Sequence, residues 1–148
     1  MAQVKKIDEK SCGVVLFRGR SGNGISPDRK YLILHYPGGH FDLPKGHVEE
    51  TDKDEHATAS RELKEETGIS EIKFIDGFRE PIHYKYRKNG KPSFKQVIFF
   101  LAETKTEQVK ISFEHKNFFW LTYREAVNKL TFDNAKNLLI KAEKLLSK

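Results

Sequence analysis

Three short apolar runs, Val14 to Phe17, Tyr31 to Leu34 and Val97 to Leu101, are rich in β-branched or aromatic residues and are bounded by polar or glycine-containing stretches. Runs of that length and composition predict well-buried strands. Apolar residues at every second position mark Ile72 and Phe74, and again Val109, Ile111 and Phe113, which predicts strands with one wet face. Between Tyr86 and Phe94, the dipeptide Asn89-Gly90 suits the positive φ angles of a hairpin turn. The stretch from Gly19 to Arg29 holds Gly19, Gly22, Gly24 and Pro27 without periodicity, and a loop is expected there.

Helical spacing appears in two other places. Phe132, Ala135, Leu138, Leu139, Ala142, Leu145 and Leu146 form one apolar stripe at intervals of three, three, one, three, three and one, which predicts an amphipathic helix packed on the sheet. Just before it, Thr122 followed three residues later by Glu125 has the form of a capping box and predicts a short helix. A further helix is expected from Asp54 to Thr67, stopped by Gly68 where a left-handed residue is favoured. Strands mixed with two or three helices, with no repeat or linker, predict a single α+β domain over residues 1–148.

Composition narrows the picture only a little. The chain is 37% hydrophobic and 32% charged, within the globular range. Its single cysteine, Cys12, cannot form an internal disulfide and adjoins the first apolar run, so a small core residue is expected. Met1 to Lys10 contains no apolar stretch suited to export or membrane insertion, and a cytoplasmic setting without a membrane partner is expected. A net charge of +6 and a pI near 9.3 favour polyanionic partners, although the lysines are spread along the whole chain, as on any solvated basic surface.

The chemistry concentrates on the 54–67 helix. Glu62, Glu65 and Glu66 are related by i, i+3 and i+4, which places them on one arc of roughly 100°. Like charges so spaced destabilise an isolated helix by roughly 0.2–0.5 kcal/mol per pair, and two of the three lie in the last turn, where the helix dipole disfavours anions. One reading is a solvated acidic face steadied by Arg61 pairing with Glu65. The other is a face turned toward a cation, and oxygen-only ligands on a rigid element suit Mg²⁺ or Mn²⁺. No paired cysteines or closely spaced histidines favour zinc.

The run Arg61-Glu62-Leu63-Lys64-Glu65-Glu66-Thr67-Gly68-Ile69 resembles the second half of the Nudix box, with every specified position matched. Upstream, Leu43-Pro44-Lys45-Gly46-His47-Val48 resembles the segment leading into that box, in the form seen in asymmetrical diadenosine tetraphosphate hydrolases. Downstream, Phe113-Glu114-His115 and Phe118-Phe119-Trp120 resemble their Glu-His segment and the aromatic strand after it. The resemblance implies the Nudix α/β/α sandwich, a mixed central sheet with helices on both sides. It also implies hydrolysis of a phosphoanhydride with Mg²⁺, Mn²⁺ being possible. One departure stands out. Five residues separate Gly46 from Asp52 and eight separate Asp52 from Arg61, so the loop carries one residue more than the family pattern and an aspartate in place of its glutamate. Counting back from Arg61 instead places Lys53 there, and neither position is assigned a role.

The resemblance implies Glu65 and Glu66 as principal metal ligands, and Glu62 as a further ligand or the general base. Glu114 holds a metal or orients the water, Gly46 offers its carbonyl to a metal, and Arg61 holds a helix carboxylate in place. For the substrate, Lys45 and His40 are candidates for phosphate oxygens, with Lys91 and Lys95 extending the track. Tyr84 or Tyr86 is a candidate base platform within His83-Tyr84-Lys85-Tyr86-Arg87, although the same alternation marks any half-buried strand. Phe132 either sandwiches the base or begins the helix's core stripe. His47, His56, His83 and His115 are read as structural or solvated. The substrate expected is a dinucleoside polyphosphate such as diadenosine tetraphosphate, cleaved by a monomer to ATP and AMP. The alternatives are nucleoside triphosphates, diphosphoinositol polyphosphates and the 5′ triphosphate end of RNA, the last being the one case with a nucleic-acid partner. A binding module that has lost catalysis is disfavoured by the presence of all three helix glutamates.

Overall fold

A computed structural model describes residues 7–19, 29–112 and 114–148 of the chain. The glycine-containing segment expected to be a loop falls almost wholly at 20–28, outside the described residues, as does Phe113. The three apolar runs lie within β1 (Glu9–Arg18), β2 (Lys30–His35) and β6 (Lys91–Thr104), and every residue of those runs is buried. The reason they read as unbroken runs is that both faces of these strands are covered. Cys12, Val14 and Leu16 point into one core with Ile98 and Phe100, while Val15 and Phe17 point into another with Val97, Phe99 and Leu101.

β1 and β6 run parallel, pairing Glu9–Phe17 with Lys95–Glu103. The other pairings are antiparallel, joining β1 to β2, β2 to β3 (Phe41–Asp42), β1 to β4 (Lys45–His47), β2 to β7 (Asn117–Leu121) and β6 to β5 (Ile72–Lys88). This is the mixed central sheet expected. Helix α1 (Glu55–Thr67) covers one face through Ala59 and Leu63, while α2 (Tyr123–Lys129) and α3 (Asp133–Leu146) cover the other through Ala126, Leu138, Leu139 and Ala142. β5 and β6 form a long hairpin closed by Asn89 and Gly90 at φ 53° and 77°, as the dipeptide predicts. Among the described residues no helix is long and apolar enough to cross a membrane.

Two expectations are corrected. Val109 and Ile111 alternate as foreseen and pack against the α1-side core, but they belong to no strand. Their segment pairs with a helix end instead, where Lys110 N–H donates to the Thr67 carbonyl at 2.8 Å and Ser112 N–H to that of Glu66 at 3.0 Å. Those carbonyls are among the last four of α1, which have no partner within the helix. The other correction concerns Phe132, which is the N-cap residue of α3 and 45% exposed, so the buried stripe begins at Ala135. The capping box of α2 is present as foreseen, with Thr122 and Glu125 bonded reciprocally.

Both ends of α1 are fixed locally. Asp54 caps its first turn by accepting from Ala57 N–H at 2.8 Å, and Gly68 ends it at φ 75° with its N–H on the Lys64 carbonyl. A Cβ at Gly68 would meet nothing closer than 3.4 Å, so the cost of Gly68→Ala is conformational. We expect about 1 kcal/mol of lost stability in urea unfolding. Leu63 is 1% exposed, and burying such a side chain contributes roughly 1.5–3 kcal/mol. That anchor sets the rotation of α1 and turns Glu62, Glu65 and Glu66 to a cavity at the sheet edge.

Candidate active site

β4 is only three residues long, but its pairing with β1 at Ser11, Cys12 and Gly13 brings Gly46 against α1. A Cβ built on Gly46 would lie 1.9 Å from Glu62 Cδ, so only glycine leaves room for that carboxylate. Beside this contact opens a cavity of about 570 Å³. Its wall includes Gly46, Glu62, Glu65, Glu66 and Glu114 together with the ammonium-bearing Lys45 and Lys95. One hollow thus collects, from four distant stretches of sequence, the acidic residues and two of the basic residues that the sequence singled out.

Glu66 is the deepest of the carboxylates, at 6% exposure. Its Oε1 accepts from the Lys45 backbone N–H at 3.0 Å, and its Oε2 lies 3.5 Å from the Tyr36 hydroxyl and 2.9 Å from His115 Nε2. The histidine contact lacks the alignment of a hydrogen bond, leaving Nε2 unsatisfied. Burial pushes the Glu66 pKa up to about 8 against the opposing Lys45 N–H bond, and the negative charges of Glu62 and Glu114 add to the rise. Glu62 is also shifted upward, first by burial. Burial lowers the pKa of His115, which keeps the imidazole neutral.

Arg61 organises the outer side of the cluster. Its Nε and Nη2 fork onto the two Asp52 oxygens at 2.9 and 3.0 Å, while Nη1 reaches Glu62 at 2.9 Å and Glu65 at 3.2 Å. Nη2 also donates to the His47 carbonyl at 2.8 Å. The bidentate fork holds the Asp52 carboxyl well below the usual carboxylate range. Asp52 further accepts from Glu49 N–H and the Thr58 hydroxyl, so it is Asp52 and not Lys53 that meets Arg61 across the lengthened loop.

The remaining candidates divide. Lys45 Nζ pairs with the buried Asp42 carboxylate at 3.0 Å and sits 5.4 Å from the centre of the Tyr84 ring. Tyr84 itself is half-buried, with its phenol pushed up to about 12 chiefly by burial. His40 stacks on Tyr36 with ring centres 4.9 Å apart and lies 5.5 Å from the Phe132 ring, giving an aromatic face off the cavity wall. Tyr86 lies on the far half of the hairpin, where its phenol is perturbed by Glu9, and Lys91 lines a separate hollow at the hairpin tip. Neither lies on the cavity wall. His115, read from the sequence as structural or solvated, proves to be a buried member of the cluster, and Tyr36 and Asp42 were not singled out at all. The one sequence signal for His115 is its place beside Glu114.

The donor set suits a hard dication, since four carboxylates line one cavity and one of them is buried at a cost to its charged form. Among the described residues no three of these side chains already stand in ligand geometry. Glu62 and Glu65 rest on Arg61, and Glu66 on the Lys45 amide and His115.

A mixed sheet lies between α1 and the α2–α3 pair, with a glutamate-bearing helix facing a glycine of a short strand, and the NUDIX domain family matches residues 9–142. The chain belongs to that family. It is 35% identical over 144 residues to the asymmetrical bis(5′-nucleosyl)-tetraphosphatase of Mus musculus, covering 93% of this chain and 95% of that protein. The Caenorhabditis elegans protein of the same name is 31% identical over 143 residues, covering 93% and 96%. A crystal structure of a C. elegans Ap4A hydrolase binary complex matches with a TM-score of 0.77 at 29% identity, over 94% of this chain and 98% of that one.

Proposed function

We propose that this protein is a divalent-metal-dependent hydrolase that splits diadenosine tetraphosphate asymmetrically into ATP and AMP. The observation that carries the reading is a single cavity walled by Glu62, Glu65, Glu66 and Glu114 and also by Lys45 and Lys95, in a chain similar along nearly its whole length to asymmetrical tetraphosphatases. Hydrolysis of a phosphoanhydride joins the oxygen of water to one phosphorus and delivers a proton to the bridging oxygen that leaves with the other. The site must therefore align a water, accept its proton and balance the charge on the phosphoryl oxygens.

Glu65 and Glu66, with Glu62, Glu114 and the Gly46 carbonyl, are the oxygen donors that would hold Mg²⁺ or Mn²⁺, and an ion bound there supplies positive charge to the phosphates and polarises water. The protein's own residues supply the rest. Lys45 and Lys95 grip phosphate oxygens, Arg61 keeps Glu62 and Glu65 in place, and a carboxylate of the cluster takes the proton. Tyr84, beside Lys45, is the base platform, and the His40–Phe132 face is the second aromatic surface within reach. Tyr86 and Lys91, at the far end of the hairpin, take no part. The protein acts as a monomer in the cytoplasm, where Cys12 stays a buried free thiol.

Incubation with diadenosine tetraphosphate and Mg²⁺, followed by separation of the nucleotides, is expected to give equal ATP and AMP. Two molecules of ADP, or no turnover, would overturn the reading. In a competition panel the dinucleotide should outrank nucleoside triphosphates, triphosphate-ended RNA and diphosphoinositol polyphosphates, because a second base adds contacts that a single-base ligand lacks.

A further inference from the structure

Ser11 has no exposed surface, yet it forms part of the wall of the carboxylate cavity, and its hydroxyl has no hydrogen-bond partner among the described residues. The sheet does not need that hydroxyl. The backbone of Ser11 is engaged on both sides, opposite His47 of β4 and Val97 of β6, and alanine would serve the strand equally well. An unpaired buried hydroxyl is unfavourable, and native structures keep such groups for a reason.

The surroundings point to an anion. Along β1, Ser11 shares its side of the sheet with Gly13, whose partner across β4 is Lys45, and with Val97 of β6, two residues beyond Lys95. Alternation along the strands thus puts Ser11 on the face from which Lys45 and Lys95 reach the cavity. Lys95 has no ion-pair partner among the described residues, and burial together with the charge of Lys45 lowers its pKa. Two neighbouring ammonium groups line one hollow and a lone hydroxyl lies just beneath its surface, whereas phosphate oxygens are acceptors only.

We propose that, as the Lys45 and Lys95 side chains draw onto the bound polyphosphate, the Ser11 hydroxyl is uncovered and donates a hydrogen bond to a phosphate oxygen, and so sets affinity for the polyphosphate chain. The assignment rests on the hydrolase reading above. A contact made alike in the ground and transition states changes KM and leaves kcat alone.

The test measures Ser11→Ala and the near-isosteric weak donor Ser11→Cys against diadenosine tetraphosphate at fixed free Mg²⁺, with tripolyphosphate as inhibitor and with the melting temperature of the free protein. In both variants KM and the inhibition constant should rise about tenfold, the loss typical of a hydrogen bond to a charged acceptor, with kcat held within about twofold. The melting temperature of Ser11→Ala should stay level or rise, since an unpaired polar group has gone. An unchanged KM and inhibition constant would mean that the hydroxyl only holds a solvent molecule, and would overturn the proposal. So would a fall in melting temperature with a parallel loss of kcat, or a rise in KM without a matching change for tripolyphosphate. If the native protein fails to cleave the dinucleotide while tripolyphosphate binding, read by calorimetry, still weakens about tenfold in Ser11→Ala, the substrate assignment fails and the Ser11 contact stands.

Discussion

Replacing Glu66 by glutamine is expected to lower kcat by about three orders of magnitude and, in the same protein, to raise the stability of the metal-free form at alkaline pH. The two effects have one cause. Glu66 is the buried member of the cluster, so it contributes most where a cation is held and suffers most where none is. Glutamine keeps the side-chain length and can still accept the Lys45 N–H, but it carries no charge to bind a cation or to desolvate. A Glu66→Gln protein with near-native turnover would remove this residue from the metal-ligand set.

The stability half of the prediction follows from linkage. The Glu66 pKa is raised from 4.5 to about 8 on folding, so between those values the folded protein keeps a proton that the unfolded chain has released. Stability contributed by that proton is complete below pH 4.5 and is lost as the pH climbs to about 8. At about 1.36 kcal/mol per unit, the full fall is on the order of 5 kcal/mol. Urea unfolding of the metal-free native protein should therefore show a stability falling across this window, and Glu66→Gln should flatten the slope. Added Mg²⁺ should restore the native protein at high pH and stabilise the variant less, since the variant has lost one of the carboxylates that would hold the ion.

The elements that sequence patterning made legible are those whose cause is local. The buried strands of β1, β2 and β6 announce themselves because both faces need apolar residues, and the α1 boundaries follow from Asp54 and Gly68, which cap it through bonds within three or four residues. The hairpin turn at Asn89-Gly90 and the Thr122–Glu125 box belong to the same class. Features set by long-range contact were not legible. β4 is three residues of Lys-Gly-His, with no periodicity to read, and exists because β1 offers it an edge. Val109 and Ile111 have the alternation of a strand, but the backbone around them finds its partners in the last carbonyls of α1.

The candidate site divides along the same line. Three glutamates on one helical arc can be read from spacing alone, and their common cavity with Lys45 and Lys95 agrees with the motif resemblance. What the pattern does not contain is which carboxylate is buried, because the depth of Glu66 is set by Tyr36 and His115 from other parts of the chain. Asp52 is the sharper case. Counting residues gave two equivalent registers for the lengthened loop, and the choice between Asp52 and Lys53 is made by charge, since only an anion can close the fork on Arg61 and accept from Thr58.

Gly46→Ala carries the second large expected effect, a loss of about a hundredfold in kcat from the addition of one methyl group. The new Cβ would fall 1.9 Å from Glu62 Cδ, 2.0 Å from Oε2 and 2.5 Å from Cγ, so the carboxylate must leave its place or the β4–α1 contact must open. Gly46 does not have a positive φ, and the penalty is therefore steric, about 1–3 kcal/mol of stability as for other overpacked sites. Alanine keeps the backbone carbonyl, which makes the substitution a probe of where Glu62 stands and not of the carbonyl as a ligand. The double variant Gly46→Ala/Glu62→Ala separates the two consequences: removing the Glu62 side chain relieves the clash, so most of the lost stability should return while turnover stays low. Recovery of both would show that the position of Glu62 has no bearing on the chemistry, and recovery of neither would place the strain elsewhere in the β4–α1 contact.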